Sequence, residues 1–354
     1  MGLDLGIESA GFEIIGCLEA DKWACATIRA NKPAIPLIED TIVNWTGAKV
    51  LEFLARQREE VDLIIGGPPC PSFSTAGKRQ SFTDPRGQVM FDFLRLVEEI
   101  RPPFFVMENV RGILSASLKH RPLLDRVHTS PAFSSEEQKG SVMRLLHRRF
   151  SEMGYVVTVE LTNAAHYGVP QNRERVVFIG SRDGFQVTLP LPSHSSNGNG
   201  FCLPYRTLGG ALEGLKDPRP QFMPFSESRL RFFRMLKAGQ NWRDLPPEVA
   251  REALGGAFAS GGGKVGFFRR LSYDKPCPTV PTSPIQKSTA LCHPTALRPL
   301  SVREYARVQQ FPDDWKFIGS ISRQYQQIGN AVPVGLGHVV GRSILRYLEN
   351  LAEF

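Results

Sequence analysis

For its first 180 residues the chain alternates between two hydrophobic rhythms. Leu3 to Ala10 carries apolar residues at helical spacing, and Gly11 suits the left-handed cap that closes such a helix. Phe12 to Leu18 is an apolar run that predicts a strand ending at Glu19-Ala20-Asp21. Val61 to Ile65 predicts a short buried strand running into Gly66-Gly67-Pro68-Pro69-Cys70, and Val89 to Ile100 returns to helical spacing until Pro102-Pro103 stops it. Phe104 to Met107, Tyr155 to Leu161 and Arg175 to Ile179 predict three further strands. Strands separated by helical stretches imply an α/β fold with a largely parallel sheet and helices on both faces.

Residues 181–290 break this rhythm. Pro190 to Gly200 reads as a loop. Ser260 to Gly263 reads as a linker or turn, because no strand leads into its glycines as a phosphate-binding loop requires. From Ser301 the pattern is helical again, with Ser301 and Glu304 spaced as a capping box, and a last helix is predicted over Val334 to Leu351. The expected division is 1–180, 181–290 and a closing segment 291–354.

Composition narrows the class. With 354 residues, 42% hydrophobic and 22% charged, the chain can build a core and is not a disordered polymer. No apolar run reaches the roughly 18 residues of a membrane span, and no secretory signal is visible, so the expected address is cytoplasmic. Six cysteines without a C-x-x-C pair predict free thiols rather than a disulfide framework or a metal site. The net charge is +8, and nearly all of that excess lies in residues 181–290, which hold fifteen basic against eight acidic residues. A basic, turn-rich block between near-neutral ones fits a module facing a polyanion; a solvated basic surface would give the same count.

The chemistry concentrates at predicted strand ends. In an open α/β sheet ligands bind beyond the carboxyl ends of the strands, which is where Gly66-Gly67-Pro68-Pro69-Cys70-Pro71-Ser72-Phe73-Ser74 begins. Pro68, Pro69 and Pro71 fix φ around Cys70, a stiffness that a merely buried cysteine does not need, so Cys70 reads as a nucleophilic thiol. Glu108, at the end of the next strand, is expected on the same edge as Cys70. Gln171-Asn172-Arg173-Glu174-Arg175 places two arginines on one side of an extended segment, as site residues or as an ion-pair ladder with Glu174.

GPPCPSFS, ENV and QNRERV, in this order, resemble the nucleophile, glutamate and arginine motifs of the DNA cytosine-5 methyltransferase family. Arg298-Pro299-Leu300-Ser301-Val302-Arg303-Glu304, running to Gln310-Phe311-Pro312, and Gln324 through Ile328-Gly329-Asn330-Ala331-Val332-Pro333 are similar to later motifs of that family. The resemblance covers about 240 residues and brackets a middle similar to the family's target recognition domain. It implies a Rossmann-like S-adenosylmethionine-dependent fold with a mixed sheet, plus a smaller irregular DNA-reading domain. It also implies a reaction: Cys70 adds to carbon 6 of a flipped-out cytosine, Glu108 and Arg175 hold the ring, Arg173 supports the site, and carbon 5 takes the methyl of S-adenosylmethionine.

Further roles carry over from the same resemblance. Glu19 would bind the cofactor ribose, Asp40 and Thr41 the adenine, and Pro68, Val89, Asn330 and Ala331 the methionine end. Ala20 stands where the family often has an aromatic residue. Ser74, Lys78, Arg79, Arg86 and Thr279 would face DNA, the loop from Ser74 to Gly87 acting as a lid. The implied partner is double-stranded DNA, acted on by a monomer in a restriction-modification system with a cognate endonuclease, or by a solitary bacterial methylase. A transfer-RNA cytosine-5 methyltransferase and a catalytically inactive DNA-binding remnant are the competing expectations. In the family a strand and an F-x-G-x-G-G turn precede the first helix, whereas Met1-Gly2-Leu3 matches only the end of that turn. The expectation is an upstream start, with strands ending at Glu19 and Ile65 flanking an empty slot in residues 1–354 alone.

Overall fold

The structure is a computed structural model that describes residues 1–69, 85–119, 133–198, 200–259 and 266–352, with side chains of its fourth helix from Gln88 and of its last helix to Glu349. Helix α1 (Gly2–Ala10) leads to β1 (Cys17–Leu18), α2 (Lys22–Asn31), β2 (Leu37–Ile38), α3 (Gly47–Leu54) and β3 (Leu63–Gly66). Then come α4 (Pro85–Ile100), β4 (Phe104–Val110), α5 (Ser141–Glu152), β5 (Val156–Asn163), β6 (Gln171–Asn172) and β7 (Glu174–Ser181).

The main sheet has four strands in the order β3–β4–β7–β5. It is mixed: β3 and β4 run parallel, but β7 is antiparallel to both β4 and β5. The expectation of a largely parallel sheet is corrected here, because β7 follows β5 closely enough in sequence to return beside it without a helical crossover. Helices cover both faces. Phe105, Met107, Val176 and Phe178 pack on one side with Phe93, Leu94 and Val97 of α4 and Leu146 and Phe150 of α5. Phe104, Val106, Val177 and Ile179 point the other way, onto α1 and the last helix. Burial on both faces explains the unbroken apolar run of β4. Gly180 makes room for it, since a Cβ there would lie 2.0 Å from the Phe105 ring.

A second correction concerns Phe12 to Leu18. Only Cys17–Leu18 is a strand, pairing with β2 in a separate two-stranded ladder. Among the described residues no strand joins that ladder to β3. The amides of Cys17 and Glu19 donate to the carbonyls of Pro36 and Ile38, so the alternate residues Gly16 and Leu18 turn their backbone groups the other way. The amide of Phe104 donates to the Asp62 carbonyl, which likewise leaves Leu63 and Ile65 facing away from β4. Gly16, Leu18, Leu63 and Ile65 all line one cavity. Phe12 to Gly16 lacks a described strand partner, which is why its apolar pattern yields no ladder.

After β7 come β8 (His194–Ser195), inside the segment expected as loop, and its parallel partner β9 (Leu203–Pro204) just beyond it, then α6 (Leu208–Leu212), α7 (Glu227–Arg234) and α8 (Pro247–Leu254). The middle carries its own core of Phe225, Phe232, Phe233, Leu245, Leu254 and Phe268, joined by Cys292. Strands β10 (Arg269–Arg270), β11 (Cys277–Pro278) and β12 (Leu291–Cys292) follow, and β11 pairs directly with β6. The chain returns through α9 (Val302–Val308), α10 (Ile321–Asn330) and α11 (Val334–Ala352). The capping box is present: Ser301 Oγ accepts from the Glu304 amide at 3.2 Å, and Glu304 accepts from the Ser301 amide at 2.6 Å. Helix α11 lies so close to α1 that a Cβ on Gly6 would meet the Val334 carbonyl at 2.3 Å, and one on Gly337 the Leu3 carbonyl at 2.8 Å. Among the described residues no helix is long and apolar enough to cross a membrane.

Candidate active site

A cavity of about 1540 Å³ opens at the carboxyl ends of β1, β3 and β4. Ten residues singled out from the sequence line it: Glu19, Asp40, Thr41, Pro68, Val89, Glu108, Arg173, Arg175, Asn330 and Ala331. The cavity continues between the facing edges of β1 and β3, past Ile14, Gly16, Leu18, Leu63 and Ile65. Cys70, Ser74, Lys78 and Arg79 lie outside the described residues, as do Ser260 to Gly263 and the side chain of Arg86.

Glu108 sits near the end of β4, and β7 brings Arg175 opposite Val110, two residues further along. Arg175 Nε pairs with Glu108 Oε1 at 2.5 Å, with both side chains 12% exposed. A Cβ on Gly67 would lie 3.2 Å from Glu108 Oε2, so the carboxylate abuts the Gly66-Gly67-Pro68-Pro69 segment. Asn109, buried behind it, donates to the Pro68 carbonyl at 3.4 Å. The pair and the Gly66–Pro69 segment thus share one edge of the sheet.

The two arginines diverge in task. Arg173 is fully buried and donates to the carbonyls of Gly329 (2.8 Å), Ala331 (2.9 Å) and Val280 (3.3 Å). Burial, then the charge of Arg175, pulls its guanidinium down to about 9. Arg173 therefore acts on backbone, whereas Arg175 faces the carboxylate. Glu174 is not part of a ladder with them; it pairs with Arg111 at 2.9 Å.

On the other side of the cavity, Asp40 accepts from the Thr41 amide (2.7 Å), the Trp45 indole (3.0 Å) and Asn44 (2.9 Å). These bonds, the Thr41 amide first, hold its carboxyl below the usual range. Glu19 accepts from the Asp21 amide at 2.8 Å, and Asp21 caps α2 through the amides of Trp23 and Ala24. Two fixed carboxylates on one wall suit hydroxyl and amine donors of a nucleoside. Asn330 and Ala331, at the end of α10, also line the cavity. The donor set fits S-adenosylmethionine. Ala20, at the position where an aromatic was absent, is exposed. Thr279 lies elsewhere, exposed, its hydroxyl donating to the Asn172 carbonyl at 2.7 Å.

Burial pushes the thiols of Cys17 and Cys277 up to about 12, and those of Cys25 and Cys292 up to about 11. None of these four is poised as a thiolate, and none forms a disulfide. Sequence reasoning missed Trp45, which fixes Asp40, and the fully buried Gln171 and Gln309, whose amides meet at 2.8 Å. Gln171 opens the QNRERV motif, the one available signal for it.

A family model described as C-5 cytosine-specific DNA methylase matches residues 1–346. The type II methyltransferase M.Sau96I of Staphylococcus aureus is 37% identical over 98% of this chain and 74% of its own length. M.Eco47II of Escherichia coli is 35% identical over 99% and 78%. Among solved structures, one described as a DNA modification methyltransferase encoded within an E. coli prophage superposes with a TM-score of 0.64 at 22% identity, covering 98% of this chain and 96% of that one. The DNMT2 of Spodoptera frugiperda does so at 0.57 and 17%, covering 97% and 96%. These two likenesses speak for the fold, a mixed-sheet methyltransferase fold. With its glutamate–arginine pair beside the proline-rich loop and a family match over nearly its whole length, the chain belongs to the C-5 cytosine-specific DNA methylases, an enzyme family.

Proposed function

We propose that the chain methylates carbon 5 of a cytosine flipped out of a specific duplex DNA site, using S-adenosylmethionine and a covalent bond to Cys70. The observation that supports this most directly is the Glu108–Arg175 pair abutting Gly67, three residues before Cys70. Carbon 5 of cytosine is too electron-poor to attack a methyl donor by itself. The Cys70 thiolate forms a bond to carbon 6, which moves electron density onto carbon 5. Glu108 hydrogen-bonds the ring nitrogen and exocyclic amine, and Arg175 the carbonyl oxygen, so that the ring accepts this addition. Arg173 keeps the wall behind them in place through its three carbonyl partners. S-adenosylmethionine, when bound by Glu19, Asp40, Thr41, Pro68, Val89, Asn330 and Ala331, supplies an electrophilic methyl group. Loss of the carbon 5 proton and departure of Cys70 complete the reaction.

Residues 181–290 carry the DNA reading in this proposal, with Thr279, Ser74, Lys78, Arg79 and Arg86 on the DNA side and the enzyme acting as a monomer. Relatives named as type II methyltransferases favour a restriction-modification role with a cognate endonuclease. The test is methyl transfer from labelled cofactor to DNA and to RNA by the native chain and by Cys70→Ser. Native transfer to DNA, lost in the variant while DNA binding survives, is the expected result. Near-native turnover by Cys70→Ser, or transfer to RNA alone, overturns it. DNA affinity should also fall steeply with salt, each neutralised phosphate releasing a counterion; a slope near zero contradicts a basic reading module.

A further inference from the structure

Helix α10 ends at Asn330, and the last carbonyls of any α-helix have no partner within it. Here the Ala331 amide reaches back to the carbonyls of Gln327 and Ile328, and further partners come from distant segments. Gln309, fully buried at the end of α9, donates through Nε2 to the carbonyls of Ile328 (2.7 Å) and Ala331 (2.9 Å). Its Oε1 accepts from Gln171 Nε2 at 2.8 Å, and Gln171 Oε1 accepts from the Val280 amide at 3.0 Å. Its own backbone carbonyl receives the Val334 amide at 3.1 Å, so one residue grips both sides of the Asn330–Pro333 turn. Arg173 reaches two of the same places, the carbonyls of Ala331 and Val280.

The amide of a glutamine offers one acceptor and two donors. Gln309 uses its oxygen on Gln171 and its nitrogen on two carbonyls, and Gln171 spends its oxygen on the first residue after Thr279. The chain of bonds runs unbroken from the end of the basic middle segment to the turn that lines the cavity. The links through Val280, Gln171, Gln309 and Ile328 are buried and the one to Ala331 is partly so; an unpaired amide or carbonyl is costly there, so the register of one end constrains the other.

We propose that Gln309 and Gln171 are positioning residues: they hold the Asn330–Ala331 turn against the cofactor cavity in register with Val280. The relay adds ties from distant segments to an α10 terminus that the Ala331 amide closes locally through the carbonyls of Gln327 and Ile328. Its consequence for cofactor affinity rests on the functional reading given above; its effect on the turn does not.

The experiment uses the full chain and the variants Gln309→Met and Gln171→Met, which keep side-chain length while removing the amide. Hydrogen exchange is followed by mass spectrometry over residues 328–334, with 104–107 as an internal reference. Gln309→Met is expected to speed exchange at 328–334 on the order of tenfold or more and leave 104–107 unchanged. Gln171→Met, which spares the bonds from Gln309 to α10, is expected to loosen 280–282 more than 328–334. Should Gln309→Met fail to fold, the Gln171→Met pattern decides. Calorimetric titration of S-adenosylmethionine should show about tenfold weaker binding in Gln309→Met, while affinity for DNA changes less. Unchanged exchange at 328–334 in Gln309→Met, or equal exchange changes across the chain, overturns the relay. Faster exchange with native cofactor affinity overturns its role in positioning. A native chain that binds no cofactor sinks the functional reading instead, and leaves the exchange comparison to judge the relay.

Discussion

Strands β3 and β4 are hydrogen-bonded neighbours, yet they stand in different surroundings. Every residue of β4 from Phe104 to Met107 is fully buried, clasped by β7 on its far edge and by helices on both faces. Every residue of β3 is only half-buried, and its far edge looks across a cavity toward β1. A parallel strand of an α/β sheet is ordinarily covered on both faces and paired on both edges. The closed half carries Glu108 and Arg175, the groups that would handle the base. The open half carries Glu19, Asp40 and Thr41, the groups that would hold the cofactor. One half is therefore made rigid by packing, and the other by local hydrogen bonds.

Amide exchange should separate the halves by the largest margin. The amides of Phe105 to Met107 are expected to exchange only through near-global unfolding, whereas those of Gly16, Leu18, Leu63 and Ile65 point into the cavity. With a stability of about 5–15 kcal/mol, the ratio should be on the order of 10³ or more. Comparable protection in both sets, measured by NMR exchange, would mean that something occupies the space between β1 and β3.

Core truncation should give the next largest contrast. Phe105 is fully buried among the rings of Phe93, Phe150 and Tyr155, so Phe105→Ala should cost about 3–5 kcal/mol. Leu63 touches the opposite core from a half-buried position, and Leu63→Ala should cost about 1–2 kcal/mol, below the usual range for a buried leucine. Urea unfolding of the two variants supplies the comparison. Equal losses would show that the open half is as tightly built as the closed one.

The same division governs what was legible in the sequence. Strands β4, β5 and β7 announced themselves because burial on one or two faces writes itself into apolar runs, as in Phe104-Phe105-Val106-Met107. Glu108 and Arg175 followed from strand ends and motif spacing. Phe12 to Leu18 carried an equally apolar run and mostly failed to become strand, because a ladder needs a partner that a local pattern does not specify. The antiparallel insertion of β7 also depends on pairing rather than on periodicity. Gln309 was invisible for a different reason: its role rests on three segments, around 171, 280 and 330, that meet only in the folded chain. The glycine contacts that bring α1 against α11 are likewise a property of two helices together.

The smallest effect expected is at Asp40, and it tests whether local hydrogen bonds do hold the open half. The Thr41 amide, the Trp45 indole and Asn44 favour the charged carboxylate, so its folded pKa lies below the ordinary value of 3.8. A lowered folded pKa means that the contribution of Asp40 is complete above the unfolded value, near 4, and is lost as pH falls through the folded one. Between pH 5 and 8 it is therefore constant, and the open half should loosen only at more acid pH. Because the carboxylate is open to solvent, the change should be modest and confined to residues 40–45. Carboxyl-detected NMR titration should place the Asp40 midpoint below 3.8, and Asp40→Asn should remove the acid response of the Trp45 indole signal while leaving Phe105 unchanged. A midpoint at or above 3.8, or a response of Phe105 equal to that of Trp45, would show that the two halves are held by the same forces after all.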